Sequence, residues 1–137
     1  MIRRIASLTL PLMLTPLLLA ACATANGAPA RLQAGNWRFV LIDGQKPVSG
    51  TTRLTIGADR VGANLGCNGL GGKLTIVDDR LVVGPLISTQ MWCDGVMDQE
   101  RAVQQLLSAS PRYRIKGGRL VLSGGEHAAE LEAIEPD

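Results

Sequence analysis

The residues of this chain that most suggest chemistry are a cysteine set among glycines, in the sequence GCNGLGG at residues 66–72. Such a stretch could hold phosphate groups, supply a nucleophilic thiol or provide half of a disulfide. A dinucleotide-binding loop needs GxGxxG, but the last glycine of that pattern after Gly69 and Gly71 is replaced by Leu74. A P-loop needs Ser or Thr after its Lys, whereas Lys73 precedes the same leucine. We therefore expect these glycines to serve a strand end and a tight turn with positive φ.

The N-terminus predicts export and lipid attachment. Arg3 and Arg4 precede an uncharged, leucine-rich run that extends to Ala21, which is typical of a signal peptide. The sequence LAAC at residues 19–22 resembles a bacterial lipobox, which implies removal of residues 1–21 and acylation of Cys22. Several acyl chains on one residue would anchor the protein stably. A secreted protein without lipid and a membrane-spanning segment are the alternatives.

Composition after this cleavage predicts one nearly neutral domain. The chain has 14 basic and 12 acidic side chains, and removal of Arg3 and Arg4 leaves 12 of each. This balance argues against a nucleic-acid partner and against a polybasic stripe for anionic lipid. Residues 22–35 are small and polar and predict a flexible tether, so the folded domain is expected at 36–137. Because Ala23 is not Asp, we expect the outer membrane, facing the periplasm.

In an oxidising envelope, the two remaining cysteines, Cys67 and Cys93, most often pair as a structural disulfide. Reduced buried thiols and a thiol-redox pair stay open as alternatives, although a redox enzyme usually places its cysteines in a close CxxC. The single histidine, His127, follows a turn and has no identifiable catalytic partner. No close ligand pair supports a metal site, and no cofactor is expected.

Alternating apolar and polar residues predict about eight strands, and one segment has helical spacing. The helix is expected at 98–108, with acidic residues in its first turn and Pro111 after its end. Asp78-Asp79 and Gly117-Gly118 are expected to form hairpin turns. The strands are expected at 36–43, 52–56, 60–67, 73–77, 80–83, 112–116, 119–123 and 129–134. The predicted fold class is α+β, a strand-rich antiparallel sheet curled toward a partial barrel with one main helix.

An ordered set of residues over about 36–134 resembles the META domain, or HslJ-like, family. The residues that carry the resemblance are Trp37, Gly66, Cys67, Asn68, Thr89, Met91, Cys93, Glu100 and Leu107. Two positions depart from the family pattern, since Trp92 stands where a small residue is usual and Leu70 where an aromatic is usual. The resemblance implies a strand-rich α+β domain in an envelope protein, with a possible link to heat or antibiotic stress. It implies no defined molecular activity.

Trp92 is the residue with the clearest potential for binding. It either packs in the core beside Cys93 or, if Met91 and Cys93 face inward, points outward as an anchor for a partner. The sequence favours a non-enzymatic envelope lipoprotein that binds an envelope protein or supports envelope integrity. A periplasmic inhibitor, a carrier of small apolar ligands and a thiol-redox protein using Cys67 and Cys93 are the alternatives.

Overall fold

The computed structural model describes residues 31–135, so the predicted signal peptide, Cys22 and most of the predicted tether lie outside the described residues. Within this range, β1 to β6 precede the helix α1, and β7 to β9 follow it. Their bounds are β1 Gly35–Ile42, β2 Arg53–Ile56, β3 Arg60–Asn64, β4 Gly69–Val77, β5 Arg80–Val83, β6 Ile87–Ser88, α1 Met97–Ser108, β7 Arg112–Lys116, β8 Arg119–Gly124 and β9 His127–Ile134. Leu32 is buried in the core, so core packing begins before residue 36, inside the segment predicted as a tether.

The strands form an antiparallel barrel of eight strands. Their order is β3-β2-β1-β9-β8-β7-β5-β4, and pairing of β3 with β4 closes the ring. The short β6 pairs with the first part of β4. The prediction of a strand-rich α+β fold curled toward a barrel with one helix is confirmed, and the closure is complete.

Alternation along the strands separates the core from the surface. Leu54 and Ile56 of β2 face inward and alternate with exposed residues, and Leu131 of β9 is fully buried between half-buried neighbours. The apolar face of α1, including Val103 and Leu106, is also fully buried, and the helix packs against β9, β8, β1 and β5. The helix is held on the barrel because the apolar face of the helix and the apolar strand residues under it are both removed from water. Among residues 31–135, no helix is both long and apolar enough to cross a bilayer.

The predicted hairpin turns are confirmed, but the glycine prediction is only partly correct. Gly117 and Gly118 both have positive φ, as a two-residue hairpin turn requires. In GCNGLGG, however, only Gly66 has positive φ. The other glycines lie in β4. The backbone of Gly72 lies so close to the segment after β5 that an added Cβ would be 3.0 Å from the Pro85 carbonyl oxygen. Gly71 and Gly72 thus allow close backbone approach within the sheet, whereas an added Cβ at Gly69 would meet nothing within 4 Å. Period-2 reasoning missed this role because glycines have no side chain to alternate.

The two ends of the barrel carry different features and are named here after β1. At the Gly35 end, Gly35 lies opposite Ile56 and Asn36 opposite Ile134. At the Ile42 end, Ile42 lies opposite Ala129, near the start of β9. The loop after β1 contacts the first turn of α1. The N-terminal turn of the helix therefore belongs to the Ile42 end.

Candidate partner-binding site

Cys67 and Cys93 form a disulfide with their Cα atoms 6.1 Å apart. The bond joins the loop after β3 to the segment before α1, and both residues are half-buried against the core. The pairing predicted from the sequence is thus present. Thiolate chemistry needs a free sulfur, which neither residue provides in this form.

Gly66 is required beside this disulfide. Its φ of 104° is unfavourable for residues with a side chain, and an added Cβ would lie 2.4 Å from Ser49 Oγ. The backbone N–H of Gly66 donates to Asn64 Oδ1 at 2.8 Å. The turn that presents Cys67 is therefore fixed both by conformation and by a hydrogen bond.

The side chain of Asn68 clamps the segment that contains Met91. Its Oδ1 accepts the Met91 backbone N–H at 2.7 Å, and its Nδ2 donates to the Met91 carbonyl oxygen at 2.8 Å. The Thr89 hydroxyl also donates to Oδ1, at 3.0 Å. Asn68 is buried, so these bonds are shielded from water. The amide thus pairs with one residue of the neighbouring segment as a strand backbone would.

Glu100 holds the Asn68 amide in this orientation. Its carboxylate accepts the Asn68 backbone N–H at 2.5 Å and the side-chain N–H at 2.9 Å. Glu100 is buried, and a buried carboxylate is costly unless such charge-assisted bonds satisfy it. Because Glu100 lies in the first turn of α1, the cluster connects the helix to the β3–β4 loop and to Met91.

The structure brings together nearly all the residues that carried the family resemblance. A single cluster contains Gly66, Cys67, Asn68, Thr89, Met91, Cys93 and Glu100. Trp37 and Leu107 are the exceptions. Trp37 lies in β1 near the Gly35 end and packs partly buried against the core, and Leu107 is buried in the last turn of α1. The cluster fixes segment 88–94, which has no regular strand structure beyond Ser88.

The outer side of this fixed segment is apolar and exposed. Trp92 is 76% exposed, so the alternative in which it packs in the core is wrong. The outward direction of Trp92 was expected to depend on Met91 facing inward, and that premise was wrong. Met91 is 56% exposed, and only its backbone is held by Asn68. Ile87, which lies five residues before Trp92 in the chain and opposite Gly71 in the sheet, is 79% exposed. The Trp92 indole N–H donates to Asp94 Oδ1 at 2.9 Å, which restrains the ring at the surface.

A groove of about 370 Å³ lies between this segment and α1. Its floor includes the buried pair Asn68 and Glu100. The walls bring Trp92 and Met97 together with polar side chains of the helix, Arg101 and Gln104. Its chemistry is that of a recognition surface, with apolar contact area, amides and one cation that pairs with Asp98 at 3.2 Å.

Polar contacts brace the helix against the loop after β1. Gln99 accepts the Val48 backbone N–H at 2.8 Å and donates to the Lys46 carbonyl oxygen at 3.0 Å. The helix wall of the groove is thus held at its first turn. A surface fixed before binding loses less conformational entropy when a partner arrives.

His127 has a structural role. It lies half-buried at the start of β9, with Nδ1 2.8 Å from Asp43 Oδ2 and Nε2 2.7 Å from Gln105 Oε1. Burial raises the pKa of Asp43, but the Ala128 backbone N–H and His127 outweigh it and leave that pKa below its usual value. The described part of the chain holds no group of three or more His, Cys, Asp or Glu residues that could bind a metal ion.

A second cavity, of about 420 Å³, lies at the Gly35 end. Trp37, Ile115 and Ile134 give it a mainly apolar lining. The indole nitrogen of Trp37 is buried and has no hydrogen-bond partner among the described residues. This cavity is larger than the groove beside Trp92, but none of the clustered motif residues lines it.

The fold resembles solved structures that are distant in sequence. One NMR structure is superposed with a TM-score of 0.65 at 14% identity, covering 74% of this chain and 91% of the other. An NMR structure of a protein from Burkholderia xenovorans gives a TM-score of 0.60 at 18% identity, covering 77% and 85%. These similarities establish the fold alone. A search of curated proteins found no significant match.

The domain is a small, closed antiparallel barrel with one helix. A disulfide and the Asn68–Glu100 pair connect the start of the helix to the barrel. The sequence pattern of one family, the META domain, matches residues 30–135. The chain belongs to the META domain family.

Sequence reasoning found the members of the cluster but not its bonding. Asn68 and Glu100 are 32 positions apart, and neither residue type alone indicates burial. The sequence offered two signals for this pair: an Asn directly after a cysteine, and a Glu in the first turn of the predicted helix. Which atoms meet depends on the closure of the barrel.

Proposed function

We propose that this protein is a non-enzymatic, lipid-anchored envelope protein that binds a partner protein through the surface formed by Ile87, Met91 and Trp92. Cys22 carries the anchor, and the domain faces the periplasm at the outer membrane. Through this binding it supports envelope integrity, including under heat or antibiotic stress.

The observation that carries the proposal is the 76% exposure of Trp92 on a segment that the disulfide and Asn68 hold in place. Tryptophan is enriched among the few residues that contribute most of the binding free energy of an interface, and its large side chain favours burial there. Exposing a large indole to water has no benefit for the fold itself. A rigid support for an exposed aromatic favours recognition of a partner.

Affinity capture of the lipidated protein from crosslinked envelopes tests this proposal. We expect Trp92→Ala to lower recovery of a specific partner at least tenfold, since interface hot spots cost about 2 kcal/mol or more. Val77→Ala is the matched control, because Val77 is also exposed, at 49%, but lies in the β4–β5 hairpin. Equal recovery with both variants would contradict a role for this surface.

Membrane attachment is tested separately with Cys22→Ser. The proposal predicts that the variant loses metabolic labelling by a fatty-acid analogue and leaves the membrane fraction. Retention of the label would show that Cys22 is not the acylated residue.

A carrier of small apolar ligands is the second candidate function, and the cavity at the Gly35 end favours it. Binding there would change the emission of Trp37, which lines the cavity, and a Trp92→Phe background would isolate that signal. Saturable quenching by an apolar probe that Ile115→Phe, which fills the cavity without adding a tryptophan, abolishes would support the carrier. No saturable change would leave partner binding as the function.

A further inference from the structure

The segment that begins at β6 is hydrogen-bonded along one edge. Within the described residues, β6 pairs with one strand, β4. Just after β6, the Thr89 backbone N–H donates to the Gly69 carbonyl oxygen at 3.1 Å. Two residues later, both backbone groups of Met91 bind the Asn68 side chain, which precedes β4. Thr89 and Met91 therefore direct their backbone groups to the same side, that of β4.

The residues between them present their backbone groups on the other side. Because the directions of N–H and C=O alternate along an extended chain, those of Ser88 and Gln90 point away from β4. Within residues 31–135, neither the N–H nor the carbonyl oxygen of Gln90 or Trp92 forms a hydrogen bond. Both residues are exposed. Accessible, unpaired N–H and C=O groups in a row are a template for an added strand.

The residue types and the space beside this edge both permit strand addition. Charged side chains and proline commonly protect sheet edges, but the sequence of residues 86–93, LISTQMWC, contains neither. The groove of about 370 Å³ lies between this segment and α1, with Ser88 and Gln90 on one wall and Met97 on the other. An extended chain therefore has both donors and acceptors to pair with and a groove to occupy.

The apolar area of this surface is small for docking of a folded partner. Even at roughly 200 Å² apiece, the side chains of Ile87, Met91 and Trp92 offer no more than about 600 Å². A second copy of the chain would need about 800 Å² from each protomer for a standard interface. An added strand needs less side-chain area, because main-chain hydrogen bonds supply much of its affinity. The balance favours an extended segment as the occupant.

We propose that an extended segment of the partner protein adds as a strand to the edge formed by residues 88–92, in the groove beside α1. Its main chain pairs with the backbone of Ser88 and Gln90, and one of its apolar side chains packs on Trp92. The Asn68 side chain and the disulfide hold the edge extended before the partner arrives. This inference rests on the proposed partner binding and specifies the form of the partner.

A random library of short linear peptides, displayed on phage, is the probe. It is selected on the mature protein with its disulfide intact, and hydrogen exchange measured by NMR compares the free protein with its complex with the tightest peptide. We expect exchange of the Gln90 and Trp92 amides to slow by about tenfold or more, because these N–H groups gain acceptors. Thr89 and Met91 already have acceptors and serve as internal controls, with changes below about threefold.

A backbone N-methyl scan of the bound peptide tests the pairing itself. Each methyl group removes one donor, so a strand paired along one edge should lose about tenfold in affinity at alternate positions only. In the protein, Gln90→Pro removes the N–H and should lower affinity about tenfold. Gln90→Ala removes the same side chain but keeps the N–H, and should lower affinity less than about threefold. The peptide scan uses the unaltered protein, so it decides the matter even if Gln90→Pro does not fold.

Four outcomes would overturn strand addition. They are a failure to select any peptide, unchanged exchange at Gln90, loss of affinity at consecutive peptide positions as for a bound helix, and protection that rises with protein concentration in the absence of peptide, as for a second copy. The proposed function can fail separately. Envelope capture that depends on Trp92 but not on Gln90→Pro would keep the partner and reject this mode of binding. Alternating N-methyl effects without any envelope capture would support the edge and reject the envelope partner.

Discussion

Asn68→Asp is the substitution that tests the buried cluster most sharply. It keeps the shape of the side chain and the Oδ1 acceptor for the Met91 N–H. It replaces the amide nitrogen, which donates to Met91 and to Glu100, with a second oxygen. At neutral pH this places two carboxyl groups at about hydrogen-bond distance in a buried site, where both cannot stay ionised.

The cost of this change follows from proton binding. If the introduced carboxyl takes up a proton, it can donate to Glu100 and restore that bond. Protonating a group of ordinary pKa near 3.9 costs about 4 kcal/mol at pH 7 and about 1 kcal/mol at pH 4.5. Loss of the bond to the Met91 carbonyl adds roughly 1 kcal/mol. We therefore expect the variant to be less stable by about 5 kcal/mol at pH 7 and about 2 kcal/mol at pH 4.5.

Urea unfolding of the oxidised protein at both pH values measures these differences. Asn64→Asp is the matched control, because Asn64 is exposed and its Oδ1 acceptor for Gly66 is retained, so its effect should stay within about 0.5 kcal/mol. Adding Glu100→Gln should recover part of the loss at pH 7, since the new amide can donate to the introduced carboxylate. A deficit below 1 kcal/mol, or one equal at both pH values, would refute the account of the cluster.

Three other changes have defined outcomes. Replacing Cys67 and Cys93 by Ser should lower the free energy of unfolding by about 3.5 kcal/mol in the chain-entropy model, measured by urea unfolding against the oxidised protein. Gly66→Ala should lower the melting temperature by several degrees, whereas Gly50→Ala, which has open space around it, should not; similar effects of the two would contradict the strain argument. Asp43→Asn should destabilise the protein at neutral pH because the folded pKa of Asp43 is lowered. Its stabilisation is present above the unfolded pKa of about 3.9 and is lost as pH falls through the lower folded value, so the gap should narrow as pH falls below about 3.9, and a gap independent of pH would exclude this origin.

Local patterns were sufficient for most of the fold. Period-2 alternation located the strands around Leu54 and Leu131 because each has one buried and one exposed face. Asp78-Asp79 and Gly117-Gly118 were recognisable because turn residues have strong local preferences. The glycines of β4 were misread because their role depends on the chain that crosses them, in the case of Gly72 at Pro85.

The candidate site was predictable in membership and not in arrangement. The two cysteines could be paired from compartment and count, without coordinates. The parity argument failed at Met91 because segment 88–94 is not a strand, and its backbone is held by the Asn68 side chain. The pairing of Arg60 with Lys73 could not be foreseen for a similar reason, since these two residues meet only through sheet register. Contacts set by tertiary pairing cannot be read from local spacing.

Site-specific photo-crosslinking in living cells tests the central claim most directly. A photoreactive residue replaces Ile87, which is 79% exposed, and in a parallel strain it replaces Val77 in the β4–β5 hairpin. The account predicts a discrete crosslinked partner from position 87, none from position 77, and loss of the product when Trp92→Ala is added. The same crosslinks from both positions, or an unchanged product after Trp92→Ala, would contradict the proposal that this surface binds a partner.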